Sequence, residues 1–177
     1  MNSTDKELVE SFLKDGSTES FNRLYEYCNP ALYRVAYFLS KGNDSYLHDL
    51  IQETWVVIIQ SLEKFEGRSR LSTWMTRILI NKNYDHLRKK LKVTDDIDEL
   101  QFENSIEAHT SVSMDLEETI KALPQGFRMV LLLHDLEGYK HREIADILNI
   151  NEGTSKSQLF QARKRMRELM KDYQYEK

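Results

Sequence analysis

One cysteine, two prolines and six glycines are all that this 177-residue chain holds of the residues that staple, kink or break a backbone. A lone Cys28 excludes a disulfide framework and a cysteine-based metal cluster, and it reads as a small apolar core residue in step with Phe21, Leu24 and Tyr25. No run of about 18 apolar residues occurs, so no stretch suits a membrane span. The opening MNSTDKELVESF lacks the basic-then-apolar order of a secretory leader. A cytoplasmic location without membrane insertion is the expectation. His48, His86, His109, His134 and His141 have no ligand spacing, and neither a nucleophile elbow nor a phosphate loop is present. Enzymatic function, metals and cofactors are therefore not expected.

Long alternation with period two is missing too, while Gly16, Gly42, Gly67, Gly126, Gly138 and Gly153 all fall between segments of helical apolar spacing. The fold class expected is all-α.

Charge is present in quantity and arranged in blocks. Residues 68–92 hold eight cations against one acid, Asp85, a net of +7 in a chain whose total is −4, so the remainder carries −11. Residues 93–120 contain nine acids and no base, and residues 154–177 return to +4. Two basic islands thus flank an acidic stretch, which says more about partners than the total does. The layout divides the chain into a first helical domain over residues 1–92, a mostly irregular acidic linker over 93–113, and a second helical domain over 114–177.

In the first domain Thr4-Asp5-Lys6-Glu7 has the form of a capping box ahead of Leu8, Val9, Phe12 and Leu13. A second helix starts near Thr18, and Pro30 either kinks it or opens a new one. A helix over Tyr46–Lys64, capped by Ser45, aligns Leu47, Leu50, Ile51, Thr54, Ile58, Ser61 and Leu62 on one face. That leaves Asp49, Gln52 and Glu53 outside beside some of Trp55, Val56 and Ile59, either a partner-binding face or a solvated one.

The basic stretch follows, FEGRSRLSTWMTRILINKNYDHLRKKLK. Leu71, Trp74, Met75, Ile78 and Leu79 share one helical face, whereas Ile80, Tyr84, Leu87 and Leu91 lie nearer the opposite one. Phe65, Trp74 and the hydroxyls of Ser69, Ser72 and Thr73 mixed with cations suit a nucleic-acid strand with its bases unstacked, although a solvated basic helix has the same charges. The Gly67-Arg68-Ser69 turn sets a polar loop beside the first turn of that helix, whose free N–H groups are expected to face phosphate.

The second domain begins with Ser113 as a cap for MDLEETIKAL, then a strongly apolar helix FRMVLLLHDLEG ended by Gly138. HREIADIL directs Ile144, Ala145 and Leu148 inward, and Asn149-Ile150-Asn151 turns the chain into a last helix starting at Gly153 and Thr154. Its inner positions are Ser155, Leu159, Ala162, Met166 and Leu169, while Lys156, Ser157, Phe160, Gln161, Arg163, Lys164 and Arg167 face out. Two helices joined by such a turn, with small Ala145 at the crossing and cations on the outer face of the second, spell helix-turn-helix and DNA binding.

The succession DLIQETW, then FEGRSRLSTWMTRILINKNYDHLRKK, then LPQGFRMVLLLHDLEGYKHREIADILNINEGTSKSQLFQARKRMREL closely resembles the extracytoplasmic-function (ECF) sigma factors of the sigma-70 family over about Lys6–Lys171. The resemblance implies core RNA polymerase and promoter DNA as partners, with an anti-sigma factor as a common regulator and no obligate homo-oligomer. Asp49, Gln52 and Glu53 match the polymerase-facing motif. Phe65, Gly67, Arg68, Ser69, Arg70, Leu71, Ser72, Trp74, Arg77 and Asn81 match the loop and helix that capture the non-template −10 strand, with Arg88, Lys89 and Lys90 as a phosphate-holding end. Thr154, Lys156, Ser157, Gln158, Phe160, Gln161, Arg163 and Lys164 match the helix that enters the −35 major groove. Members often have arginine at the positions of Gln158 and Gln161, and acidic or small residues at those of Arg68 and Arg70. Glutamine favours adenine edges where arginine favours guanine, so a different −35 preference is expected.

A pI of about 5.8 sets this chain apart from autonomous DNA binders. Free protein is expected to bind promoters poorly, the acidic linker screening the two basic surfaces. The rival reading, a stand-alone helix-turn-helix regulator, accounts for EIADILNINEGTSKS but leaves FEGRSRLSTW and DLIQETW unexplained.

Overall fold

The computed structural model describes residues 3–41, 43–94 and 116–174, and these contain helices and no strand. The chain divides into two compact units, Met1–Arg88 and Lys89–Lys177. The expected linker lies outside the described residues except for Val93 and Thr94, which complete a helix, and Ser113 lies outside them as well. No described helix is long and apolar enough to cross a membrane.

The first unit is built from α1 (Ser3–Asp15), α2 (Thr18–Ser40), α3 (Asp44–Ser61) with a 3₁₀ turn (Leu62–Lys64), and α4 (Leu71–Thr94), whose last turns pass beyond Arg88. Ser17 caps α2, its hydroxyl accepting the Ser20 N–H at 3.1 Å. The helix runs unbroken through Pro30, so Pro30 neither ends one helix nor starts another. The cap of α3 is Asn43 rather than Ser45: its Oδ1 accepts the Tyr46 N–H at 3.0 Å from an extended backbone, and the helix starts two residues earlier than its apolar spacing implies.

Leu24, Leu32, Ala36, Leu47, Leu50, Ile58, Leu62, Leu71, Met75, Leu79 and Ile80 are almost wholly buried and make the core. Each large aliphatic among them contributes about 1.5–3 kcal/mol by leaving water. Trp55 is buried as well, its Nε1 donating to Asn29 Oδ1 at 3.0 Å, so of the apolar WVVII run only Val56, at 51%, is exposed. Thr73, Thr76 and Asn83 are buried polar residues of α4, and the Tyr46 hydroxyl reaches Asn83 Oδ1 at 2.7 Å. A helix enclosed on so many sides needs polar groups that bond inward.

The second unit holds α5 (Leu116–Lys121), α6 (Gln125–Leu131), α7 (His141–Leu148) and α8 (Glu152–Gln174). The expected single helix up to Gly138 is two pieces: α6 widens into a π-helical turn over Leu132–Leu136, closed by Glu137 N–H to Leu132 O at 3.0 Å. Arg128 is buried and donates from Nη1 to the Lys121 carbonyl at 2.8 Å, tying the end of α5 to α6. Between α7 and α8 the turn is made by Asn149 in the left-handed region (φ 54°), with Ile150 N–H bonded back to Ala145 O. Ile144 and Ile147 are the buried residues of α7, whereas Ala145 and Leu148 are half-buried, which corrects the expected inner face by one position. Ser155, fully buried, joins the two helices, its Oγ lying 2.9 Å from His141 Nδ1.

Candidate nucleic-acid interface

Three surfaces gather the functional candidates. The first is the loop Phe65–Arg70 and the start of α4. Phe65 N–H bonds to Leu62 O at 3.0 Å, which fastens the loop's entry, and Trp74 N–H bonds to Arg70 O at 3.2 Å, which starts the helix. The half-buried rings of Phe65 and Trp74 meet at 5.2 Å between centroids, tilted by 44°. Gly67 has φ +68°, a left-handed conformation that glycine adopts without strain, and it turns the chain between the two rings. Arg68 is exposed and paired with Glu66; Arg70, Arg77 and Asn81 are exposed; Ser69 and Ser72 are half-exposed. Two expectations need correcting. Leu71 has no exposed surface, so it supports the loop from beneath and touches no strand. The first amide of α4 does not face phosphate: Leu71 N–H is held at 3.1 Å by Asp5 Oδ2, from α1. Arg88 is exposed with Asp85 at 3.7 Å, Lys89 is exposed, and the Lys90 side chain lies outside the described part.

The second surface is on α3. Asp49 and Gln52 are exposed, and Gln52 borders an apolar groove of about 610 Å³ lined by Tyr25, Trp55, Val56 and Ile59. Tyr25 and Phe21 pack on Trp55 at 5.0 and 5.8 Å between centroids and floor the groove. Glu53 is engaged by its own chain: its Oε2 lies 3.0 Å from His86 Nε2 and 3.4 Å from Lys82 Nζ, both on α4. Burial raises the Glu53 carboxyl's pKa, but the contacts from His86 and Lys82 outweigh it and hold the group below its ordinary value.

The third surface is the outer face of α8. Lys156, Ser157, Phe160, Gln161, Arg163, Lys164 and Arg167 are exposed, Phe160 at 63%, and Thr154 is half-buried. Ser155, Leu159, Ala162 and Met166 are buried, as their spacing requires. Gln158 is half-buried with its amide end against Gly126 of α6, its position lying on the flank of α8 that meets α6. Lys156 pairs with Glu152 at 2.6 Å, and Arg163 is gripped by Asp135 through two bonds. The Arg163 hydrogen bond pushes the Asp135 carboxyl below its ordinary range, more than burial raises it. Asp5, Arg128 and Asp135 were not legible as partners, since nothing local in the sequence marks a contact between residues so far apart.

The families Sigma-70 region 2 and Sigma-70, region 4 match residues 24–92 and 113–166 respectively. The ECF RNA polymerase sigma-E factor of Escherichia coli is 30% identical, the match spanning 90% of this chain and 91% of that protein. The chain belongs to the ECF sigma factors. The sigma-E factor of Haemophilus influenzae is 31% identical over 90% of this chain and 92% of its own length. Among solved structures, the sigma factor RpoE in complex with the anti-sigma factor NepR from Bartonella quintana has a TM-score of 0.70 at 28% identity, covering 87% of this chain and 98% of that one. CnrH, solved with the cytosolic domain of CnrY, shares the fold with a TM-score of 0.66 at 21% identity, over 95% of this sigma factor and 97% of CnrH. The region 2 match takes in the Phe65–Arg70 loop and α3, the region 4 match takes in α5 to Met166, and α1 lies ahead of both.

Proposed function

We propose that this sigma factor brings core RNA polymerase to specific promoters, with the second unit reading the −35 element and the first opening the −10 element. It acts in the cytoplasm as an initiation factor, and the chemistry of RNA synthesis belongs to the polymerase. The domain limits we assign are residues 1–92 for docking and opening, 93–113 for the linker, and 114–177 for −35 reading. The observation that supports this reading most is the Phe65–Trp74 pair enclosing a glycine turn with Arg68 and Ser69, pinned at both ends. Extruding a base from duplex DNA costs on the order of a few kcal/mol, offset by stacking, base-edge bonds and phosphate contacts in a preformed pocket. Arg77, Arg88 and Lys89 are exposed for the phosphates.

Asp49 and Gln52, with the neighbouring apolar groove, form the face assigned to polymerase. Lys156, Ser157, Phe160, Gln161, Arg163 and Lys164 are assigned to the −35 groove, with Gln161 rather than the inward Gln158 reading base edges. The Bartonella quintana relative, solved with its anti-sigma factor, supports regulation by a protein of that kind here.

Run-off transcription with core polymerase on a promoter library tests the activity and reads out both elements together. Lys156→Ala is expected to weaken closed-complex binding by about tenfold, as for loss of one phosphate or base contact. Trp74→Ala is expected to spare binding and block opening. Identical defects in the two variants would refute the division of labour.

A further inference from the structure

Asp5 stands outside every surface assigned above, yet its side chain reaches one of them. The residue is 3% exposed, and its Oδ2 accepts the Leu71 N–H at 3.1 Å across 66 residues of sequence. A carboxylate at that depth must replace its lost water with hydrogen bonds, and a helix N-terminus offers both donors and favourable potential. The first amide of α4 is thus capped from α1. Leu71 directly follows the loop and sits three residues before Trp74, whose ring closes on Phe65. The anchor therefore fixes the hinge on which both the loop and its closing ring turn.

We propose that Asp5 is a positioning residue for promoter opening: it holds the start of α4 so that the Phe65–Arg70 loop and Trp74 keep the shape that receives an extruded base. The inference rests on the reading of that loop as the strand-capturing element. It gives α1, which precedes the region 2 match, a role in opening that is separate from docking. It also favours exposed side chains such as Arg77 for phosphate contact, because the first amide of α4 is already occupied.

Holoenzyme assembled from the full chain and core polymerase provides the test. Permanganate reactivity of −10 thymines at saturating holoenzyme reads opening, a fluorescence titration reads core affinity, and a template with a pre-opened −10 bubble bypasses opening. Loss of a cap that sets an active geometry is expected to slow opening by Asp5→Ala about tenfold, with core affinity unchanged and the pre-opened template transcribed as by wild type. Asp5→Asn keeps the shape and one acceptor oxygen but not the charge, and is expected to slow opening about threefold. Where the alanine variant does not fold, the asparagine variant decides. Wild-type opening at saturation, or an equal loss on the pre-opened template, overturns the proposal, since misfolding alone would reduce both. Trp74→Ala is measured in parallel. Normal opening by that variant overturns the reading of the loop and this proposal with it, whereas a Trp74→Ala defect without one in the Asp5 variants overturns the proposal alone.

Discussion

The guanidinium of Arg163 meets both carboxylate oxygens of Asp135, Nε at 3.0 Å and Nη2 at 2.6 Å, across 28 residues of sequence. One of the cations proposed to face −35 DNA is thus paired within its own unit. The pair is exposed, so its contribution to stability is small, about 0–1 kcal/mol. Its contribution to DNA binding has the opposite sign. Asp135→Asn is expected to strengthen binding of a −35 duplex and to steepen the dependence of log K on log salt by up to about 0.9, the increment for one more neutralised phosphate. A salt-titrated binding isotherm with an unchanged slope would refute this.

His141 sets a pH dependence for the second unit. Burial first, then the charges of His134, Lys156 and Arg163, lower its pKa from 6.5 against the opposing pull of Glu152. The unfolded chain therefore takes up the proton before the folded one does. Stability linked to His141 is intact above 6.5 and falls as pH drops through the lower folded value. The difference in thermal midpoint between wild type and His141→Gln, measured from above neutrality to about pH 5, should change with this sign. A flat difference curve would exclude it.

Glu53 is held by His86 and Lys82, while Asp49 and Gln52 face solvent. Gln52→Ala is expected to lower core-polymerase affinity by about tenfold, the range of a moderate interface residue. Glu53→Gln should weaken docking less and lower the melting temperature of the first unit more. The reverse ranking in paired docking and melting experiments would show that Glu53 leaves its intramolecular partners on binding.

Gly126 lies beneath Gln158: a Cβ there would sit 3.1 Å from Gln158 Nε2, the far end of a flexible side chain. Gly126→Ala gains about 0.5–1 kcal/mol in helix propensity, so melting should be unchanged or slightly raised. Gln158 must shift outward, and a changed −35 sequence preference is expected without loss of fold. A selection on randomised −35 duplexes checks this, and an unchanged preference would show that the displaced Gln158 does not reach the bases.

The sequence alone determined that the chain is helical and which side of most helices faces inward, because burial follows the 3.6-residue period closely. On α8, Ser155, Leu159, Ala162 and Met166 are buried while Lys156, Phe160, Gln161 and Arg163 are exposed, as their spacing dictates. The blocks of charge and the order of motifs likewise marked out the family. Only the tertiary structure decided where polar groups are satisfied. Asp5 reads locally as part of a capping box and caps α4 instead; Arg128 is a charged residue in a strongly apolar helix and bonds to a carbonyl of α5; Gln158 reads as a base contact and lies against α6. Helical periodicity reports how apolar a position's surroundings are. It holds no information on which distant donor or acceptor will meet a given side chain, since that partner is set by how the helices pack, and packing is a property of the whole unit.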